Sequence, residues 1–226
     1  MCGAFSTPAS WSSFNFSTDD SWAALDNKFA VRPYDPSVII CHQDQSMRAG
    51  LAQQWSLVPP FADSQQLKYS TFNARLDRLE TSPVWKSSFP DKRCLVPADG
   101  FFERVKEEGQ KKKRPYYIHR RDQRGFCFAG LWSKWHDDKN NVDVLSFTII
   151  TTMPNSLMKK IGHHRMPCIV AEQDYEKWLN PETRDPEILS TMIAEPMDGD
   201  LFIAHKVGYE VNYRKINGPE IVKPID

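Results

Sequence analysis

From residue 93 onward the apolar positions fall in short runs rich in β-branched and aromatic side chains, at residues 93–97, 115–119, 126–132 and 142–152, each ended by charged or polar residues. Runs of that length and make-up, separated by turns, predict strands, and their close succession predicts an antiparallel core. Upstream, residues 37–41 read as a buried strand and residues 49–58 as a second one, stopped by Pro59 and Pro60, which have no N–H to give a ladder. Residues 61–72 are polar and irregular around Phe61, and residues 73–89 predict a short helix followed by an irregular turn. Helical spacing appears at residues 153–161, with proline near the start, and at 174–179 and 185–194, each opened by an aspartate able to cap free N–H groups. A weaker helical pattern covers residues 21–25, residues 201–207 predict a closing strand, and the charged stretch 106–114 predicts a solvated hairpin tip outside any site. The class is therefore α+β, a single domain over residues 1–226 with a mainly antiparallel β core and peripheral short helices.

Composition narrows the function classes. Hydrophobic residues at 40% and aromatics at 12% suffice for a packed core. Lys+Arg and Asp+Glu balance at 29 each, so nucleic acid can be bound only through a local groove, not by overall charge. The five cysteines, Cys2, Cys41, Cys94, Cys127 and Cys168, are odd in number and lack CxxC spacing, which argues against a zinc site and against a disulfide framework. They fit a reducing compartment. No stretch approaches the ~18 apolar residues of a membrane span, and no basic segment leads an apolar run at the amino terminus. The expectation is a soluble intracellular monomer with no metal, no cofactor and no membrane partner.

The start, Met1-Cys2-Gly3, carries the sharpest chemistry. Removal of Met1 leaves Cys2 as a 1,2-aminothiol, with an amine of pKa ~8 and a thiol of pKa ~8.5, both partly deprotonated near neutrality. An amine condenses with an aldehyde to an imine, and a thiolate two carbons away closes on it to a five-membered ring. Elsewhere, Glu103 follows Phe101 and Phe102, where partial burial suits a proton donor or acceptor. His163 and His164 occupy a turn between a helix and a strand, and Arg75 and Arg165 suit phosphate oxygens or a structural carboxylate equally. Adjacent histidines with no second ligand pair make a poor zinc site, whereas Cys2 with His163 would also serve a thiol peptidase.

In combination, Met1-Cys2-Gly3, Asn73-Ala74-Arg75, the 98–103 segment Ala-Asp-Gly-Phe-Phe-Glu, the run 146–152 and His163-His164-Arg165-Met166-Pro167 resemble the SRAP family (SOS-response-associated peptidase domain), proteins that crosslink to abasic sites in single-stranded DNA. Trp55 to Pro59, His205 and Val211-Asn212 add smaller echoes in the same order. The resemblance implies a barrel-like β core, and a thiazolidine formed by Cys2 with the ring-opened abasic aldehyde. It also implies that Glu103 moves protons, that His163 assists ring opening or a strand-cleaving side reaction, and that Asn73 orients the Cys2 terminus or the sugar. Arg75 and Arg165 would grip flanking phosphates, Thr151 would line the same groove, and Phe61 would stack on a neighbouring base. The compartment would be the cytoplasm or nucleoid in a bacterium and the nucleus in a eukaryote.

Ala4 stands where the family usually has arginine, Ala30 where it has asparagine, Phe61-Ala62 where tryptophans are frequent, and Arg104 where a tryptophan often follows the glutamate. These departures leave the covalent chemistry intact and predict altered DNA affinity, with Arg32 a candidate to replace the charge missing at Ala4. Two other outcomes stay open: a non-covalent single-stranded DNA-binding protein, and a thiol autopeptidase acting only at its own amino terminus.

Overall fold

The computed structural model describes residues 2–11, 14, 28–43 and 46–225, so the pattern at 21–25 lies outside the described residues. The strands run β1 Ala4–Ser6, β2 Ser37–Gln43, β3 Ser46–Ala52, β4 Gln54–Trp55, β5 Asn73–Arg75, β6 Arg93–Ala98 and β7 Gly100–Val105. They continue with β8 Arg114–Arg120, β9 Phe126–Asp137, β10 Val142–Thr152, β11 Met166–Pro167, β12 Ile169–Val170 and β13 Phe202–Lys206. Four short helices, α1 Pro83–Lys86, α2 Ser156–Lys160, α3 Tyr175–Leu179 and α4 Pro186–Ala194, lie among them. The fold is α+β and mostly sheet, with one sheet curled into a half-barrel.

Two sheets carry the architecture. The smaller is an antiparallel set in the order β1-β7-β8-β13. The larger runs β11-β10-β9-β6-β2-β3, with β12 beside β9 and with β4 and β5 pairing β10 in parallel. The chain passes between the sheets at Asp99, the single residue separating β6 from β7. A strand that changes sheets at a corner is a standard way to close a layered β core. Asp99 is pinned there, its N–H donating to Ser6 O at 3.1 Å and its carboxylate accepting from Ala9 N at 2.7 Å.

Three elements differ from the sequence expectation, each for a local reason. Asn73 to Arg75 form a strand rather than the start of a helix, because β10 offers them a parallel ladder in which Asn73 pairs with Ile149 and Arg75 with Thr151. The predicted strand 49–58 breaks into β3 and β4, the second of which leaves β2 to pair with β10. Gly100–Val105 is a strand that the pattern did not announce, since both of its faces are covered and its alternation is blurred. Asp185 caps α4 by accepting from Glu187 N and Ile188 N, whereas Asp174 makes no such bond at α3.

The space between the sheets holds Phe5, Trp55, Phe101, Phe128 and Phe147, packed largely edge to face, as in Phe5 on Trp55 at 5.1 Å between ring centres. On the other face of the large sheet, α1, α3 and α4 bury Trp85, Trp178, Leu189 and Ile193 against Leu95, Ala129 and Ile150. Where β6, β9 and β10 lie side by side, Gly130 leaves no room for a side chain. A methyl there would meet Cys94 Sγ and the backbone oxygen of Thr148, both at 2.8 Å. Gly130→Ala is therefore expected to destabilise by about 1–3 kcal/mol, read as a lower denaturant midpoint with an unchanged slope.

Candidate functional site

The site forms where the small sheet meets β5 and β10 of the large one. Strand alternation explains its acid. Phe101, Glu103 and Val105 share one face of β7, and because Phe101 points into the core between the sheets, Glu103 is carried inward with it. Glu103 is 2% exposed. His163, just beyond α2, is also buried, and its Nε2 lies 3.1 Å from Glu103 Oε2. Its Nδ1 lies 2.7 Å from Arg165 O, a carbonyl that can only accept, so Nδ1 carries a proton. The Nε2–Oε2 contact then needs one further proton, held on either the imidazole or the carboxyl group. Glu103 and His163 thus share a movable proton in a buried setting.

Cys2 immediately precedes the small sheet and is fully buried. Its carbonyl accepts from Asn73 Nδ2 at 2.7 Å, a bond that joins the amino-terminal segment to β5 of the large sheet. Asn73 Oδ1 is buried and has no hydrogen-bond partner among the described residues, so it can still accept a hydrogen bond from an amine or a hydroxyl. The Cys2 thiol donates to Ala4 O at 3.4 Å, and burial, followed by the nearby Glu103 charge, pushes its pKa well above the ordinary thiol value. The sequence expectation concerned Cys2 after removal of Met1; with Met1 in place, burial holds the thiol toward its protonated form, so a base beside it assists its loss of a proton.

The two arginines have different fates. Arg165 is buried, and its guanidinium donates to Thr151 Oγ1 at 3.1 and 3.3 Å and to Thr151 O. Thr151 Oγ1 in turn donates to Ala74 O at 3.2 Å. Thr151 is fully buried and lines no groove; it positions Arg165. Arg75 is exposed and forms a two-point ion pair with Asp77, at 3.0 and 2.5 Å, and Asp77 also lies 4.0 Å from Arg165. Asp77 was not singled out in the sequence. Its place two residues after Arg75, on the turn that leaves β5, is the only trace it leaves there.

Phe61 is exposed, but the structure does not bring it to Cys2. Its neighbour Ala62 packs with Val58, Trp135 and Val144. Val144 lies five positions along β10 from Ile149, the partner of Asn73, or about 16 Å of strand. His164 stacks on His163, with ring centres 5.1 Å apart and planes 23° from parallel. Among the described residues no group of three or more His, Cys, Asp or Glu side chains is arranged to hold a metal ion. Likewise, no described helix is long and apolar enough to cross a membrane.

Arg32 does not replace the charge missing at Ala4. Its guanidinium is buried and donates to the carbonyls of Ala30, Val211, Tyr213 and Ile216, tying the carboxy-terminal turns to the core. Ala30 is buried in the same region, its N–H held by Asn217 Oδ1 at 2.7 Å. Arg32→Ala strands those carbonyls and is expected to cost about 3 kcal/mol or more of stability, seen as a lower melting temperature. The salt dependence of any DNA binding should stay unchanged.

A cleft of about 220 Å³ opens beside these groups, lined by Ala4, Glu103, His163 and His164, with Arg104 and Lys113 also on its wall. Lys113 comes from the 106–114 stretch that the charge pattern had assigned to a solvated tip.

The family model for SOS response associated peptidase (SRAP) matches residues 1–214. The chain is 36% identical over 195 residues to the abasic site processing protein YoqW of Bacillus subtilis, covering 86% of this chain and 85% of that one. It is 30% identical over 207 residues to the abasic site processing protein HMCES of Xenopus tropicalis, covering 80% and 59%. A crystal structure of a protein from Bacteroides thetaiotaomicron superposes with a TM-score of 0.80 at 30% identity, over 90% of this chain and 88% of that one.

Proposed function

This chain belongs to the SOS response associated peptidase family, and from that premise we propose that it processes abasic sites in single-stranded DNA by covalent capture through Cys2. Removal of Met1 frees the Cys2 α-amine. The amine adds to the aldehyde of the ring-opened abasic sugar, and loss of one water gives an imine. The thiol then adds to the imine carbon while its proton passes to nitrogen, closing a thiazolidine. The net change is the sum of protein and DNA less one water.

The observation that carries this proposal is the buried Glu103–His163 pair, in contact at 3.1 Å, on the same site as a cysteine whose carbonyl is clamped by Asn73. Dehydration to an imine needs an acid, and ring closure by a protonated thiol needs a base. One shared proton serves both steps in turn. Asn73 Oδ1 is available to accept from the α-amine and hold its lone pair toward the aldehyde. Preference for single strands follows from access, because a nucleotide without a base has no stack to leave and its sugar can enter the cleft.

The test is intact mass spectrometry of the purified protein before and after mixing with a single-stranded oligonucleotide carrying one abasic site. The expected product lacks Met1 and gains the oligonucleotide mass less one water, and it survives denaturation. Protein that lacks Met1 and binds the oligonucleotide without any mass gain would instead be a non-covalent binding module.

A further inference from the structure

Charge pairing around the cleft is uneven. On the large-sheet side, Arg75 and Arg165 both face Asp77. Arg114 of β8 and Lys206 of β13 share Glu107, at 3.8 and 2.8 Å, and Arg114 also lies over the Tyr209 ring at 4.5 Å. The two lysine and arginine side chains that line the cleft have no carboxylate partner among the described residues. Arg104 donates only to the neutral Asn212 side chain, at 2.8 Å, and Lys113 has no ion pair. Both are exposed and both line the cleft that contains Glu103 and His163.

Register explains why they meet. Arg104 lies opposite Pro115 across the β7–β8 ladder, and Lys113, two residues before Pro115 and just ahead of β8, lines the same cleft. Ala4 lies opposite Phe102, two residues before Arg104, so between these cations and the amino terminus the cleft wall carries the uncharged side chains of Phe102 and Ala4. Two uncompensated positive charges thus flank the mouth on the sheet opposite to Arg75 and Arg165.

We infer that Arg104 and Lys113 form a second phosphate grip, which holds the DNA backbone on the side of the lesion away from Arg75 and Arg165. The inference rests on the proposed single-stranded DNA substrate and adds where its backbone runs: across the cleft, from β5 of the large sheet to the β7–β8 hairpin of the small one. A strand lacking a base at the lesion offers little stacking there, so its affinity must come from phosphates on both flanks.

The test measures binding by fluorescence anisotropy over a series of salt concentrations. The probe is a single-stranded oligonucleotide containing a tetrahydrofuran abasic analogue, which has no aldehyde and cannot crosslink. Arg104→Gln and Lys113→Ala are each expected to weaken binding several-fold and to reduce the salt slope by about 0.7, the contribution of one phosphate contact on a single strand. Lys112→Ala, at the hairpin tip, should leave the slope unchanged. Unaltered slopes for Arg104→Gln and Lys113→Ala would overturn the grip, as would an equal loss with Lys112→Ala, which would mean diffuse attraction. Adduct formation by the unmodified protein on a true abasic oligonucleotide is read separately. Its failure would sink the crosslinking chemistry and leave the slopes to decide the grip.

Discussion

Cys2→Ala is expected to eliminate the adduct that survives denaturation, the largest effect of any single substitution in this protein. Met1 is still removable before alanine, so the variant keeps an α-amine and can form an imine. It lacks the sulfur that converts the imine into a ring. An imine in water reverts, and the adduct should vanish on denaturation unless borohydride is added first to reduce the C=N bond. Trapping by borohydride together with loss without it would separate the amine's step from the thiol's. Cys2→Ser should behave like Cys2→Ala or retain at most a reversible imine. No other thiol can substitute, because Cys41, Cys94, Cys127 and Cys168 are internal to the chain and none carries the α-amine that removal of Met1 gives Cys2. A stable adduct that persisted in Cys2→Ala and disappeared in Cys94→Ala would overturn the assignment.

Glu103→Gln is expected to slow adduct formation by about 10²-fold or more, within the range that a positioned acid–base group contributes. The amide matches the carboxylate in shape and can still contact His163 Nε2, but it cannot exchange a proton at the pH of the reaction. The cleft should therefore keep its form while the chemistry slows. Single-turnover rates at saturating oligonucleotide separate this from weaker binding, because a binding defect disappears at saturation and a proton-transfer defect does not. Thermal unfolding of the same variant provides the structural control. If the rate at saturation matched that of the unmodified protein, Glu103 would be a packing residue and the shared proton would have no catalytic part.

How much of the site the sequence disclosed depends on the residue. Cys2 declared itself through its position, Glu103 through the aromatic pair before it, and His163 through its turn. Asn73 was legible only as part of a resemblance and Arg75 only as a cation for phosphate or carboxylate, since their own pattern suggested a helix. The parallel pairing of β5 with β10 that makes them a strand joins residues more than seventy positions apart. Thr151 and Arg32 were misassigned for a common reason. A polar residue chosen for its side-chain chemistry gives no sign of whether neighbouring carbonyls and hydroxyls already use that chemistry, and here they do.

The sequence by itself determined the class of the fold, the strands at 93–97, 115–119, 126–132 and 142–152, and the chemistry of an amino-terminal aminothiol, because alternation, turn residues and functional groups are local properties. Only the tertiary structure decided that Glu103 faces inward to His163, that Arg75 and Arg165 both lie against Asp77, and that Lys113 reaches the cleft. Each of these depends on which strands pair and in what register. A register shift of one residue would turn Glu103 out to solvent, and nothing within the span of a single strand encodes that choice.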